Sequence, residues 1–149
     1  MFRGQHDQSI DPKGRIILPA KFREVLSAQY DQNLIITKHL DKCLMAYPAV
    51  EWIAKENELK RLPTGRREVR MLKRFFMASA SECTMDRQGR IVIPPTLKQF
   101  ACLEKHIVIA GSIDHFEIWD RDQFYDFTGL DDTIQENEEM QAILDPLNF

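Results

Sequence analysis

Hydrophobic and polar positions alternate in short runs along the chain, and most runs stop at a turn-forming residue. Gln8–Ile10 and Arg15–Leu18 read as two strands around Asp11-Pro12-Lys13-Gly14. Asp at position i, Pro at i+1 and Gly at i+3 are type I turn preferences, and this tetrapeptide has all three. Over Ala20–Ala28 the period lengthens: Phe22, Val25 and Leu26 take helical spacing. Leu34–Thr37 and Leu44–Tyr47 form a second strand pair around the Lys38–Lys42 loop. Pro48 suits the first position of a helix carrying Val50, Trp52 and Ile53. Lys60–Phe76 predicts a basic helix opened by Thr64 as N-cap, with Val69, Leu72, Phe75 and Phe76 as its apolar stripe. Met77–Met85 predicts a return to strand, and the acidic, weakly patterned Asp131–Phe149 a frayed helix or a disordered tail.

The pattern occurs twice. Asp11-Pro12-Lys13-Gly14-Arg15-Ile16-Ile17-Leu18-Pro19 aligns with Asp86-Arg87-Gln88-Gly89-Arg90-Ile91-Val92-Ile93-Pro94 at a constant offset of 75. Phe22 then matches Leu97, and Tyr47 stands opposite Trp119 at an offset of 72. An internal repeat governs how the whole chain is read. The chain divides into a first repeat over 5–52, a basic helical connection over 53–76, a second repeat over 77–124 and an acidic tail over 125–149. The fold class is mainly β with short helices, an α+β arrangement.

Charge sharpens this picture. The 149 residues carry a net charge of −3, but residues 1–74 hold 15 Lys and Arg against 9 Asp and Glu, whereas residues 131–149 hold 6 acids and no base. A nucleic acid responds to the local field of the face it meets, so the basic first half permits DNA binding despite the average. No apolar run approaches the ~20 residues of a membrane span. The start of the chain has no apolar signal-like core, and Cys43, Cys83 and Cys102 are odd in number and widely spaced, which fits reduced thiols in a cytoplasm.

The ordered motifs resemble a known family. Asp-x-x-Gly-Arg-Ile-x-x-Pro at a hairpin tip resembles the AbrB/MazE/SpoVT swapped-hairpin DNA-binding fold. Two such units in one short chain resemble the MraZ family. Met1-Phe2-Arg3-Gly4, Arg74-Phe75-Phe76-Met77-Ala78-Ser79-Ala80 and Asp114-His115-Phe116-Glu117-Ile118-Trp119-Asp120 add to the match. The matched segments cover most of residues 1–127. The resemblance implies hairpins from the two halves interleaved into one pseudo-two-fold β-barrel, and homo-oligomers closed into rings. It also implies binding to short direct repeats in the promoter of the division and cell-wall gene cluster that contains the protein's own gene, usually as a repressor, in the cytoplasm at the nucleoid.

Within that frame the expected DNA contacts are Lys13, Gly14 and Arg15 of the first turn and Arg87, Gln88, Gly89 and Arg90 of the second. Arg3 and the Arg66–Arg74 cluster are secondary candidates. Arg can donate two hydrogen bonds to guanine O6 and N7, or clamp a phosphate. Gln88 is neutral where Lys13 is charged, so the first turn is expected to be the main reader. Asp11 and Asp86 are explained by turn capping rather than catalysis. His6, His39, His106 and His115 lack ligand spacings, Gly111-Ser112 lacks a nucleophile elbow, and no phosphate-cradling Gly loop occurs. No enzyme activity, cofactor, metal, membrane or small-molecule substrate is expected. The alternative is a ring-forming, antitoxin-like module that binds a protein partner, with incidental DNA contact.

Overall fold

Both Asp-x-x-Gly turns form, but the strands they join pair across the two halves rather than with each other. The computed structural model describes residues 1–128 and 131–148. The first half runs β1 (Gln5–Ser9), β2 (Arg15–Ile17), α1 (Ala20–Gln29), β3 (Asn33–Lys38), β4 (Leu44–Pro48) and α2 (Ala49–Lys60). Helix α3 (Arg67–Met77) leads into β5 (Ser81–Thr84), β6 (Arg90–Val92), α4 (Pro95–Phe100), β7 (His106–Gly111), β8 (Phe116–Asp120) and α5 (Arg121–Thr128). Two short helices, α6 (Asp131–Glu136) and α7 (Glu138–Leu144), and a 3-10 turn at Asp145–Leu147 follow.

Six strands form one antiparallel sheet in the order β1-β7-β8-β4-β3-β5, while β2 and β6 pair as a separate ribbon. Exchanging the halves maps that order onto itself, so a pseudo-two-fold passes between β8 and β4. The exchange is visible in the registers: Asp7 of β1 faces Val108 of β7, and Leu34 of β3 faces Cys83 of β5. The expected local hairpin keeps only an isolated Ile10–Ile16 bridge between its arms. The β3–β4 pair forms as expected, with Ile36 opposite Ala46. Hydrogen bonding leaves β1 and β5 at the two edges of the sheet among the described residues.

The core lies between the ribbon and the sheet. Ile16 and Ile91, directly opposite each other, are fully buried with Leu34, Ile36, Ile107 and Ile109. Burial of each such side chain stabilises the fold by roughly 1.5–3 kcal/mol. Phe22 and Leu97, the matched apolar positions of α1 and α4, belong to the same cluster. Proline opens α1, α2 and α4 from the N-cap position, with extended ψ between 141° and 146°.

Three expectations change. Pro48 ends β4 and caps α2 instead of being its first helical residue. The basic connection is the end of α2, a break, and α3, which begins at Arg67 with Arg66 at its N-cap rather than Thr64. Pro63 disfavours helical backbone at Leu62. Thr64 instead offers its carbonyl to Arg70 Nη1 at 2.9 Å; Gly65 does the same at 3.0 Å, and Lys73 Nζ reaches the Leu62 carbonyl at 3.4 Å. Part of the basic run thus satisfies loop carbonyls. Strand β5 is shorter than Met77–Met85 because α3 continues through Met77. The acidic tail is helical where it is described. Asn137 caps α7 by accepting from Met140 N–H at 3.0 Å. Gly129, Leu130 and Phe149 lie outside the described residues.

Candidate nucleic-acid interface

Alternation along β2 and β6 divides their side chains between two faces. Ile16 and Ile91 point into the core, so Arg15, Ile17, Arg90 and Val92 share the outer face. Arg15 stands opposite Val92 and Arg90 opposite Ile17, which places the two arginines on a diagonal, roughly 7–8 Å apart between backbones. Ile17 and Val92 lie between them, 51% and 54% exposed.

The turn aspartates hold these arginines in place. Asp11 Oδ1 accepts the N–H groups of Lys13 at 3.0 Å and Arg15 at 2.8 Å, and its Oδ2 accepts from Arg15 Nε. Asp86 repeats the arrangement with Gln88 N, Arg90 N and Arg90 Nε, each at 2.9 Å. Each guanidinium is thereby oriented through Nε, which leaves its two Nη groups out of the bond to the aspartate. Fixing the side chain beforehand lowers the ordering cost of any contact it makes.

Both carboxyls sit below the ordinary value of 3.8, chiefly because the backbone N–H of Arg15 or Arg90 stabilises the ionised form, with the guanidinium adding to it against some desolvation. A depressed folded-state value means stability that is present above 3.8 and lost as pH falls below it. The Asp11→Asn, Asp86→Asn double variant is therefore expected to show a shallower fall of urea midpoint with pH in that acid range. Identical acid limbs for the variant and the parent protein would contradict it.

The glycines join each turn to the opposite half. Gly14 and Gly89 have φ of +83° and +76°, a left-handed conformation that favours glycine after a type I turn. The Gly14 carbonyl accepts from Ile93 N–H at 2.8 Å, and the Gly89 carbonyl from Leu18 N–H at 2.9 Å. Two basic side chains absent from the sequence-based set join here. Arg23 of α1 lies against Gly89, occupying the space a Cβ would enter, and Lys98 of α4 reaches the Asp11 carbonyl at 3.5 Å. Arg23 and Lys98 are themselves 75 residues apart, so the repeat offset held a signal for them.

Each turn therefore gathers three cations from both halves: Lys13 and Arg15 with Lys98, and Arg87 and Arg90 with Arg23. Lys13, Arg87 and Gln88 are exposed. Arg3 is not brought to the first turn and lies instead beside Lys21 and Phe22 of α1. It sits at the other end of β1, whose five residues span roughly 17 Å.

A family model for MraZ protein, described as antitoxin-like, matches residues 1–75 and again residues 76–144. The chain belongs to the MraZ family. Its two family matches meet at the end of α3, and the second takes in α6 and α7. A Pelotomaculum thermopropionicum protein named transcriptional regulator MraZ is 49% identical over 129 residues, covering 87% of this chain and 86% of that one. Relatives of the same name from Limosilactobacillus fermentum and a Thermoanaerobacter species are each 40% identical over 149 residues, covering all of both chains. The name borne by these MraZ relatives describes a non-enzymatic role. No helix among the described residues is long and apolar enough to cross a membrane.

Proposed function

We propose that the chain is a sequence-specific, DNA-binding transcriptional regulator, a repressor of the division and cell-wall gene cluster that includes its own gene. The observation that carries this reading is the outer face of the β2–β6 ribbon, with Arg15 and Arg90 held on a diagonal by their turn aspartates. A two-stranded ribbon fits the major groove, where Arg reads guanine O6 and N7 and apolar groups meet the thymine methyl. Ile17 and Val92 are placed for the latter. Lys13, Arg87 and Gln88 line the approach over the buried turn glycines Gly14 and Gly89, and Arg23 and Lys98 face phosphates from its sides.

One such ribbon per subunit binds weakly. Subunits joined in a closed ring, with the ribbon sealing each chain's sheet into a barrel, meet short direct repeats in succession at high effective concentration. The repeats span 5–52 and 77–124, with 53–76 connecting them and 125–149 as a tail. The protein works in the cytoplasm at the nucleoid.

The test is binding to the DNA upstream of the protein's own gene and to a scrambled control across a salt series. Expected is tight, repeat-dependent binding whose log affinity falls linearly with log salt. Arg23→Ala is expected to lower that slope by about one per bound subunit while keeping the preference for repeat DNA. Equal, weak binding to both DNAs overturns the reading in favour of a protein-binding, antitoxin-like module.

A further inference from the structure

We propose that His39, Cys43 and Glu117 form a binding site for a divalent transition-metal ion of the zinc class, at the seam between the two halves. One donor atom from each residue lies within 4.8 Å of the other two. Donors sharing one zinc ion at ~2.0–2.3 Å sit roughly 3.5 Å apart, so side-chain rotation needs to close about 1 Å. An imidazole, a thiol and a carboxylate are the three zinc ligand types.

Local structure brings them together. The tight turn after β3 has Lys42 at φ 65°, and His39 N–H donates to the Cys43 carbonyl at 2.9 Å, which sets these two residues opposite each other. Glu117 arrives from the second half through the β4–β8 pairing, where it faces Met45, two residues along from Cys43. All three therefore occupy the sheet face opposite the main core. Spacing within the sequence could not reveal this, because the third ligand comes from the other repeat.

The surroundings suit a metal. Trp119 Nε1–H donates to Glu117 Oε1 at 3.1 Å, leaving Oε2 directed at His39 Nε2, 3.4 Å away. Val108, Trp119 and Phe124 back the buried Cys43 with apolar surface. A depression lined by Asp41, Lys42, Trp119, Gln123, Asp126 and Phe127 lies beside this cluster, sharing Trp119 with it. Burial and the Glu117 carboxylate push the Cys43 thiol far up, so a bare thiolate is disfavoured there until a cation supplies the missing charge.

Proton balance is simple. The metal takes the thiolate, and the thiol proton leaves to solvent. Binding through the Nε2 lone pair requires that the imidazole carry its proton on Nδ1. Nδ1 now accepts from Asp41 N–H at 2.9 Å; on binding it turns to donate to Asp41 Oδ2, presently 3.6 Å away. Such an outer partner fixes the tautomer and the ring orientation.

The chelator-stripped full-length protein is titrated with Co²⁺, then Zn²⁺. Expected is one Co²⁺ per chain with a thiolate-to-cobalt charge-transfer band that Zn²⁺ removes. The band persists in Cys102→Ser, the variant of the exposed thiol, and disappears in Cys43→Ser. His39→Gln, a milder change outside the core, is expected to weaken Co²⁺ binding at least tenfold, an effect of the order seen for ligand-shell changes. A parent protein without the band, a band that follows Cys102, or His39→Gln binding Co²⁺ as tightly as the parent overturns the proposal.

Discussion

Replacing Arg15 with alanine is expected to weaken binding to the repeat DNA by roughly 10- to 100-fold per engaged subunit, without loss of folding. The magnitude follows from a bidentate Arg–guanine contact, about 1–3 kcal/mol of discrimination. Folding survives because the Arg15 side chain is on the outer face of β2, 40% exposed, and contributes nothing to the Ile16–Ile91 core. Asp11 keeps the backbone N–H groups of Lys13 and Arg15 as partners in the variant, so the turn holds. In a ring the loss compounds with each subunit on the DNA. The pseudo-two-fold adds a comparison. Charge in the turns alone favours the first as the main reader, whereas Lys98 and Arg23 give both turns three cations. Equal losses for Arg15→Ala and Arg90→Ala would mean that both turns read; a larger loss for Arg15→Ala would assign reading to the first. Arg15→Ala and Arg90→Ala proteins that both melt like the parent and bind within about twofold would remove the ribbon from the interface.

Local patterns and long-range pairing were not equally legible. The Asp-x-x-Gly-Arg turns could be read because their determinants lie within five residues, and both form where the motif places them. The β3–β4 pair was legible for the same reason. Strand partners were not, since nothing in the alternation of Arg15–Leu18 states that its partner is β6 rather than the neighbouring β1. The swapped-hairpin resemblance supplied that expectation. Ile17 and Val92 carried a usable signal: they share parity with Arg15 and Arg90, so a core-facing Ile16 and Ile91 leaves them outside. Arg23 and Lys98 stand one residue beyond the matched Phe22 and Leu97, and only folding across halves explains their reach. The tail left a frayed helix and disorder both open because charge dominates the segment, although Glu, Gln, Met, Ala and Leu are sound helix formers and Asn137 is a good cap. Glu117 beside His39 and Cys43 depends on the β4–β8 contact at the pseudo-two-fold, where the first repeat has Met45 at the position matching Glu117.

Gly14→Ala and Gly89→Ala are expected to separate stability from binding, although the repeat makes the two positions equivalent. Both glycines have positive φ, which costs alanine roughly 1–2 kcal/mol. The surroundings differ. A Cβ on Gly14 would lie 2.5 Å from the Ile93 carbonyl oxygen, whereas one on Gly89 would meet the Cδ and Nη1 of Arg23 at 2.6 Å. Ile93 is backbone in a seam that also bonds its N–H to Gly14, so relief requires β6 and the start of α4 to move. Arg23 is a half-buried, flexible side chain and can swing aside. Gly14→Ala is therefore expected to cost roughly 2–4 kcal/mol, within the range for strain at a special backbone position, against about 1–2 kcal/mol for Gly89→Ala. Urea unfolding measures both, and costs equal within ~0.5 kcal/mol would show that the seam yields as easily as the side chain. Gly89→Ala carries the second expectation. By expelling Arg23 from the turn it should weaken DNA binding in a protein that remains folded, as is expected of Arg23→Ala. If Gly89→Ala binds DNA like the parent, Arg23 supports the turn without touching the nucleic acid.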